Sequence, residues 1–224
     1  SNRGDVLGLA RAANFYYPDT LKNPINEKGN AVYKLDQMAP LNGIEHGDAH
    51  NAIGDVVATL GIAKIIANKA PNVWKASHLT LDKNIALEII KNEKLFCTNE
   101  YFYGKSRPYV QTFVCEHPKF AWPLCYDLRH DPTQYFDLSL DDLTAAMKKQ
   151  PKFIRTVRHN KHPILMNPSY YEKFDEYKMI GLKKLEARAK LVKENKEFAE
   201  KVSTIKAIEV QEKDQFKSQE DIYP

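Results

Sequence analysis

The chain is expected to adopt an α+β fold, and three changes of pattern along it carry that expectation. Residues 5–70 space their apolar side chains as helices do, around one turn-rich loop. Residues 72–166 switch to short β-rich runs cut by Gly, Pro and His-Pro or Asp-Pro pairs. From Tyr170 onward the sequence becomes helical again and heavily charged.

The first helix is expected over Asp5–Tyr16, with apolar Val6, Leu7, Leu9, Ala10, Ala13 and Phe15, and Pro18-Asp19 ends it. A loop over Asn23–Asn30 carries Pro24 and Gly29. Tyr33–Met38 then starts a short helix closed by Pro40 and Gly43. Asn51–Asn68 reads as a longer helix running out at Pro71. A helical stretch through Ile85–Ile90 precedes the β runs Tyr101–Tyr103, Tyr109–Cys115, Leu124–Leu128 and Phe153–Val157, which suggest a small barrel or twisted sheet. Leu138–Met147 interrupts them as a helix, capped by Ser139 and favoured by Asp141-Asp142 in its first turn. Beyond Tyr170, Leu182, Leu185, Ala189, Val192 and Phe198 form one apolar stripe, too short for a coiled coil. The polar tail Gln211–Pro224 is expected to be mobile. No internal repeat is evident. These segments give three parts: 1–70, 72–166 and 168–224.

Composition excludes some functions. At 224 residues the chain can bury a real core. No apolar run is long enough to span a bilayer, and no basic-then-apolar signal opens the sequence, so no membrane role is expected. A net charge of +4 means that any nucleic-acid surface must be local. Cys97, Cys115 and Cys125 lack metal-ligand spacing and read as reduced, partly buried thiols of a cytoplasmic protein.

The most informative stretch is Asn42–Thr59, which contains His-x-Ala-x-x-Asp from His50 to Asp55 and leads into a helix. A histidine ahead of a helix and a carboxylate in its first turns can converge on one point. There the carboxylate can hold a divalent metal, and the histidine can take a proton from metal-bound water. Ala52, Ile53, Val56 and Val57 surround Asp55, while Gly54, Ala58, Gly61 and Ala63 keep the helix slim. A carboxylate in such apolar company needs a partner, and a metal is one that offsets its desolvation.

That pattern resembles the last motif of the DEDDh nucleases. Asn-Gly-Ile-Glu-His before His50 and Asp-Val-x-Ala-Thr from Asp55 narrow the resemblance to bacterial exonuclease I. It extends along essentially the whole chain. Asn2-Arg3-Gly4-Asp5 resembles the segment beyond that family's middle catalytic aspartate. Phe113–Leu128 resembles its SH3-like domain, and Arg158–Leu165 the Asn-Lys-x-Pro-x-Leu strand closing that domain. Glu220–Tyr223 resembles a segment of its helical domain. The resemblance implies the C-terminal part of a DnaQ-like (RNase H-like) exonuclease domain, an SH3-like β domain and the start of a helical domain. It also implies 3′→5′ release of mononucleotides from single-stranded DNA with two Mg²⁺ ions. Asp55 would ligate metal, and His50 would act as base.

The chain departs from the family in one respect that bears on activity. No Asp-x-Glu precedes His50: Val6-Leu7 follow Asp5, and Thr20-Leu21 follow Asp19. The chain is therefore expected to be a C-terminal piece, inactive alone. Helices 5–16 and 51–68 would expose apolar faces unless they pack on each other or on another molecule. Residue by residue, the resemblance assigns DNA contacts to Arg11, Lys34, Lys83, Arg155 and Asn160; Lys34 keeps the charge of a family arginine without its fork. The run Tyr101–Tyr109 can stack bases, although alternating aromatics also suit a half-buried strand. The family's pocket for the acidic tail of single-stranded-DNA-binding protein matches Tyr17, Ala76 and Glu172 here, the last of the wrong sign. Two further readings stay open: a non-catalytic single-stranded-DNA-binding module, and an interaction scaffold built on the charged helices.

Overall fold

The computed structural model describes residues 4–44 and 52–220, with side chains to Gln215. The expected base His50 thus lies outside the described residues. The fold is α+β, as expected, and divides into two compact units. The first comprises 4–44, 52–86, Cys97–Tyr109 and Asn160–Phe174. The second comprises Leu87–Phe96, Val110–His159 and 175–220. No described helix is long and apolar enough to cross a membrane.

In the first unit, α1 spans Val6–Tyr16. Asp5 caps it, its carboxylate accepting the Leu7 N–H at 3.0 Å, a device worth about 1 kcal/mol. Leu9, Ala10, Ala12, Ala13 and Tyr16 fall on one face and are buried. Asn14 ties down the chain after the helix: its amide donates to the Leu21 carbonyl at 3.0 Å, and its oxygen accepts the Leu21 N–H at 2.7 Å. The short helix α2 (Leu35–Leu41) contains Pro40 rather than ending before it. The missing N–H falls in the last turn, where it removes a single bond, and Gly43 at φ +71° completes the stop.

Helix α3 runs Ala52–Lys69 and packs on α1, α2 and the next helix. Ala58, Ile62 and Ile66 are fully buried at four-residue spacing. A Cβ at Gly61 would lie 2.8 Å from Ile44 Cδ1, so this close approach requires glycine. The other face stays in solvent: Ile53 is 72% exposed, Val56 58%, Val57 50% and Leu60 55%. Helices α1 and α3 thus cover part of each other, while the first half of α3 keeps an uncovered apolar stripe. Pro71 does not merely end α3. It sits at the N-terminus of α4 (Pro71–Leu79), where its lost N–H and fixed φ suit a helix start.

Helix α5 (Lys83–Asn92) leads to a four-stranded sheet of order β1-β2-β3-β4. β1 (Phe96–Phe102) and β2 (Lys105–Glu116) are longer than their β-rich runs suggested, and β2 continues through Pro108. The turn between them is Tyr103-Gly104, with φ +51° and +80°. Two positive φ values match the twist of a two-residue hairpin and favour Asn-Gly. A tyrosine in the first position carries a cost of about 1–2 kcal/mol.

In the second unit, β2 pairs antiparallel with β3 (Pro123–Asp127), with a bulge between Phe113 and Cys115, and β3 pairs with β4 (Ile154–Thr156). All five β3 residues are buried. Tyr126, Phe153 and Phe198 meet edge-on or tilted in the core. A short helix α6 (Thr133–Phe136) precedes α7 (Leu140–Lys148), whose Ser139 cap accepts the Asp142 N–H at 3.1 Å, as expected. The C-terminal part forms α8 (Asp175–Ile180), α9 (Leu182–Glu194) and α10 (Lys196–Glu220). Leu185, Ala189, Val192 and Phe198 of the expected stripe are buried. The segment expected to be a mobile tail is helical through Glu220.

Charged side chains fasten this unit internally. The Lys193 ammonium donates to the carbonyls of Lys91 (2.9 Å), Asn92 (3.4 Å) and Glu93 (2.7 Å), closing the C-terminus of α5. Arg188 donates to the Leu128 and Arg129 carbonyls at 2.8 and 2.9 Å. The buried Asp127 accepts the Tyr177 hydroxyl at 2.6 Å and the Arg129 N–H at 3.0 Å. The three cysteines are free; Cys97 and Cys125 are buried and Cys115 is half-buried.

Candidate nucleic-acid interface

Helix α1 presents Arg11 from its half-buried side, and two aromatic rings decide where its guanidinium goes. The guanidinium carbon lies 4.1 Å from the centre of Tyr101 on β1 and 5.8 Å from that of Tyr33. Those rings meet edge to face, 5.7 Å apart. Arg11 Nε is buried without a hydrogen-bond partner, so stacking holds this side chain in place. Burial raises the Tyr33 phenol pKa above its usual value, an effect partly countered by an Asn14 hydrogen bond and the Arg11 charge. Lys34 follows Tyr33 directly, at the N-cap of α2, with its side chain exposed. Arg11 and Lys34 are therefore brought to one neighbourhood, together with two aromatics that positional matching did not pair with them.

A second neighbourhood forms around His162. Its Nδ1 accepts the Asp5 N–H at 2.9 Å, which leaves Nε2 protonated to donate to the Ser77 carbonyl at 2.8 Å. A Cβ at Gly4 would lie 3.2 Å from Leu81 and 3.6 Å from the His162 ring, so three separate segments converge closely here. Lys83 and Asn160, both exposed, each stand two residues from this junction, one beyond Leu81 and one before His162. Arg155 belongs to the second unit. It lies on β4, half-buried, across from Cys125 of β3.

Asp55 lies in the first turn of α3, as expected, but the desolvation argument for it does not hold. The carboxylate is exposed, because the apolar residues around it, Ile53, Val56 and Val57, face solvent too. Among the described residues no group of three or more His, Cys, Asp or Glu is arranged to hold a metal. Mg²⁺ keeps several waters and takes one or two carboxylates, so two ions need more acidic ligands than the exposed Asp55. The described residues do not fit a two-metal site.

The positions matched to a peptide pocket are partly brought together. Tyr17 lines a pocket of about 250 Å³ with Asp19, Lys69 and Lys173. Its hydroxyl bonds that of Tyr170, and the Asn72 amide donates to both at 3.0 Å. Burial pushes Tyr170 up to about 12. Lys173 Nζ stands 5.4 Å from the Tyr17 ring centre, while Ala76 is buried and Glu172 exposed. The two lysines were missed in the sequence because they lie more than a hundred residues apart, and nothing local marks their meeting.

No family model matches the chain. In sequence it aligns over 219 residues, 92% of its length, with exodeoxyribonuclease I of Escherichia coli K12 at 24% identity. The chain is similar to exodeoxyribonuclease I. A stretch of 90 residues, 40% of the chain, is 36% identical to the exodeoxyribonuclease I of Buchnera aphidicola subsp. Acyrthosiphon pisum. In structure, 92% of the chain matches E. coli exonuclease I solved in complex with a dA16 oligonucleotide, with a TM-score of 0.68 and 22% identity. At that identity the likeness to exonuclease I is one of fold. The chain spans 46% of the E. coli protein and 22% of the Buchnera one, less than half of the curated relatives' length.

Proposed function

We propose that the chain is part of a 3′→5′ exonuclease acting on single-stranded DNA, and that its own share of the work is holding the strand. The observation carrying this reading is the alignment with E. coli exodeoxyribonuclease I along 92% of the chain. The solved complex of that enzyme with dA16 adds support for the substrate class. The geometry is compatible with it. Arg11 is held by aromatic rings while Lys34, Lys83 and Asn160 are exposed, which suits side chains that meet phosphates and bases. In this reading residues 1–70 belong to the exonuclease domain, 72–166 to an SH3-like domain and 168–224 to a helical domain of a cytoplasmic enzyme.

Asp55 is then one ligand of a Mg²⁺ site and His50 its base. No Asp-x-Glu pair precedes His50 to supply the remaining ligands, so the 224-residue chain alone is proposed to be inactive. A solved exonuclease I is in complex with SSB-Ct. The Tyr17 pocket, with Lys69 and Lys173 supplying positive charge and Asp19 opposing it, is the proposed counterpart for such an acidic peptide.

A second reading is a non-catalytic single-stranded-DNA-binding module, since no Asp-x-Glu pair precedes His50 in the chain. One experiment addresses both. Oligonucleotide binding to the chain is measured against salt, with Lys83→Ala and Arg155→Ala. Each variant is expected to weaken binding to every sequence and to reduce the salt slope by about 0.7. Salt-independent binding, or a preference for duplex, would sink the strand-holding reading. Metal-dependent hydrolysis in a longer form of the protein separates enzyme from module.

A further inference from the structure

The aromatic-basic run Tyr101–Tyr109 divides sharply in the structure. Tyr109 is buried at 7% exposure, and the Tyr101 hydroxyl donates to the Ala31 carbonyl at 3.1 Å. Between them, at the β1–β2 turn, Tyr103 is 96% exposed and Phe102 43% exposed. Lys105 and Arg107 on the outgoing strand are exposed as well. An aromatic ring fully in water loses the burial that normally justifies it. Here the ring also occupies a left-handed backbone position that asparagine or glycine fills more easily.

The turn is braced rather than loose. A Cβ at Gly104 would collide with the Asn30 amide, so the loop carrying the Ile25–Ala31 bridge presses against the turn. Two residues before Tyr103, Tyr101 is clamped beneath the Arg11 guanidinium. The exposed ring therefore stands on a fixed support, next to cations, in the same unit as Arg11 and Lys34.

We propose that the hairpin tip Phe102-Tyr103 is a stacking site for a base of single-stranded nucleic acid, with Lys105 and Arg107 neutralising the flanking phosphates. Every base offers a π-face, so such a site tolerates any sequence, and the adjacent cations track the backbone. Duplex does not satisfy it, because its bases are already stacked. This proposal rests on the strand-holding reading and adds a contact surface to it.

The test measures fluorescence anisotropy of a labelled deoxythymidine oligonucleotide with the 224-residue chain. Tyr103→Asn suits the positive φ, so its thermal midpoint should equal or exceed that of the parent. Its affinity should fall roughly 5- to 150-fold, the span expected for one stacked base, with the salt slope unchanged. Tyr103→Phe should bind like the parent. An oligonucleotide of abasic sites should bind parent and Tyr103→Asn equally. Unchanged affinity of Tyr103→Asn, with Lys83→Ala and Arg155→Ala still weakened, overturns the hairpin site and leaves the strand-holding reading standing. Failure of the parent chain to bind any single-stranded oligonucleotide at low salt overturns both.

Discussion

His162 Nδ1 accepts the backbone N–H of Asp5 at 2.9 Å across 157 residues of sequence. This bond joins the start of α1 to the segment after β4, and the other ring nitrogen reaches α4 through Ser77. One imidazole thereby holds three segments in register beside Lys83 and Asn160.

Replacing His162 with alanine should therefore act on stability first. Two hydrogen bonds are lost, one at an exposed donor and one at a partly buried acceptor, for a combined cost of about 1–3 kcal/mol. Urea denaturation reports it as a lower midpoint at constant m-value. A midpoint equal to the parent's would mean that the junction is held by packing alone.

The 224-residue chain should release no mononucleotides from single-stranded DNA with Mg²⁺ or Mn²⁺, because two-metal hydrolysis needs further carboxylates and no Asp-x-Glu pair precedes His50. In a longer, active form, Asp55→Asn should abolish hydrolysis while leaving DNA affinity nearly unchanged. His50→Ala should cost on the order of 10² in rate if it serves as base. Processive hydrolysis by the short chain, lost in Asp55→Asn, would contradict this account.

The α3 stripe predicts self-association. Ile53, Val56, Val57 and Leu60 expose a contiguous apolar face of the kind soluble proteins normally cover. Lysine at Val56 and Leu60 should reduce association in sedimentation velocity and shift stability by only about 0.5 kcal/mol, because both side chains are more than half exposed. A loss of several kcal/mol would place these residues in a core.

Asp127 predicts a pH effect. Burial, the largest influence, raises its pKa above the ordinary value, against the lowering effects of the Tyr177 hydroxyl, Arg129 and His130. The folded chain therefore holds this proton more tightly than the unfolded chain does, and stability at this site declines as pH rises from the unfolded pKa through the folded one. Asp127→Asn keeps an acceptor for the Tyr177 hydroxyl and removes the titration. The variant should gain on the parent as pH rises above about 4, the usual unfolded pKa, until the raised folded pKa is passed. Denaturation at several pH values reads the difference; a constant gap would exclude Asp127 as its source.

What was legible in the sequence was whatever depended on near neighbours. The Ser139 cap, the stop after α1 and the buried stripe Leu185–Phe198 follow from local spacing and turn chemistry, and the structure has them. Pro71 does follow the end of α3 and also opens α4, whereas Pro40 lies inside α2, because position within a turn decides a proline's effect. Asp55 misled for the opposite reason. Its apolar neighbours implied burial, whereas burial depends on what faces the helix, which sequence spacing does not contain. The same holds for Arg11: its partner rings at Tyr33 and Tyr101 come from distant segments. Lys69 meets Lys173 in the pocket by the same kind of long-range approach.

The Lys193 ammonium at the end of α5 has a consequence in time. During synthesis α5 leaves the ribosome about a hundred residues before Lys193 does, and even β4, ending at Thr156, leaves well ahead of it. Until then the carbonyls of Lys91, Asn92 and Glu93 have only water, and Phe198 has not reached Tyr126. The nascent sheet must wait, partly formed, with its edge and apolar face open to other chains. Its fate in the cell is thus set by how quickly translation delivers α9.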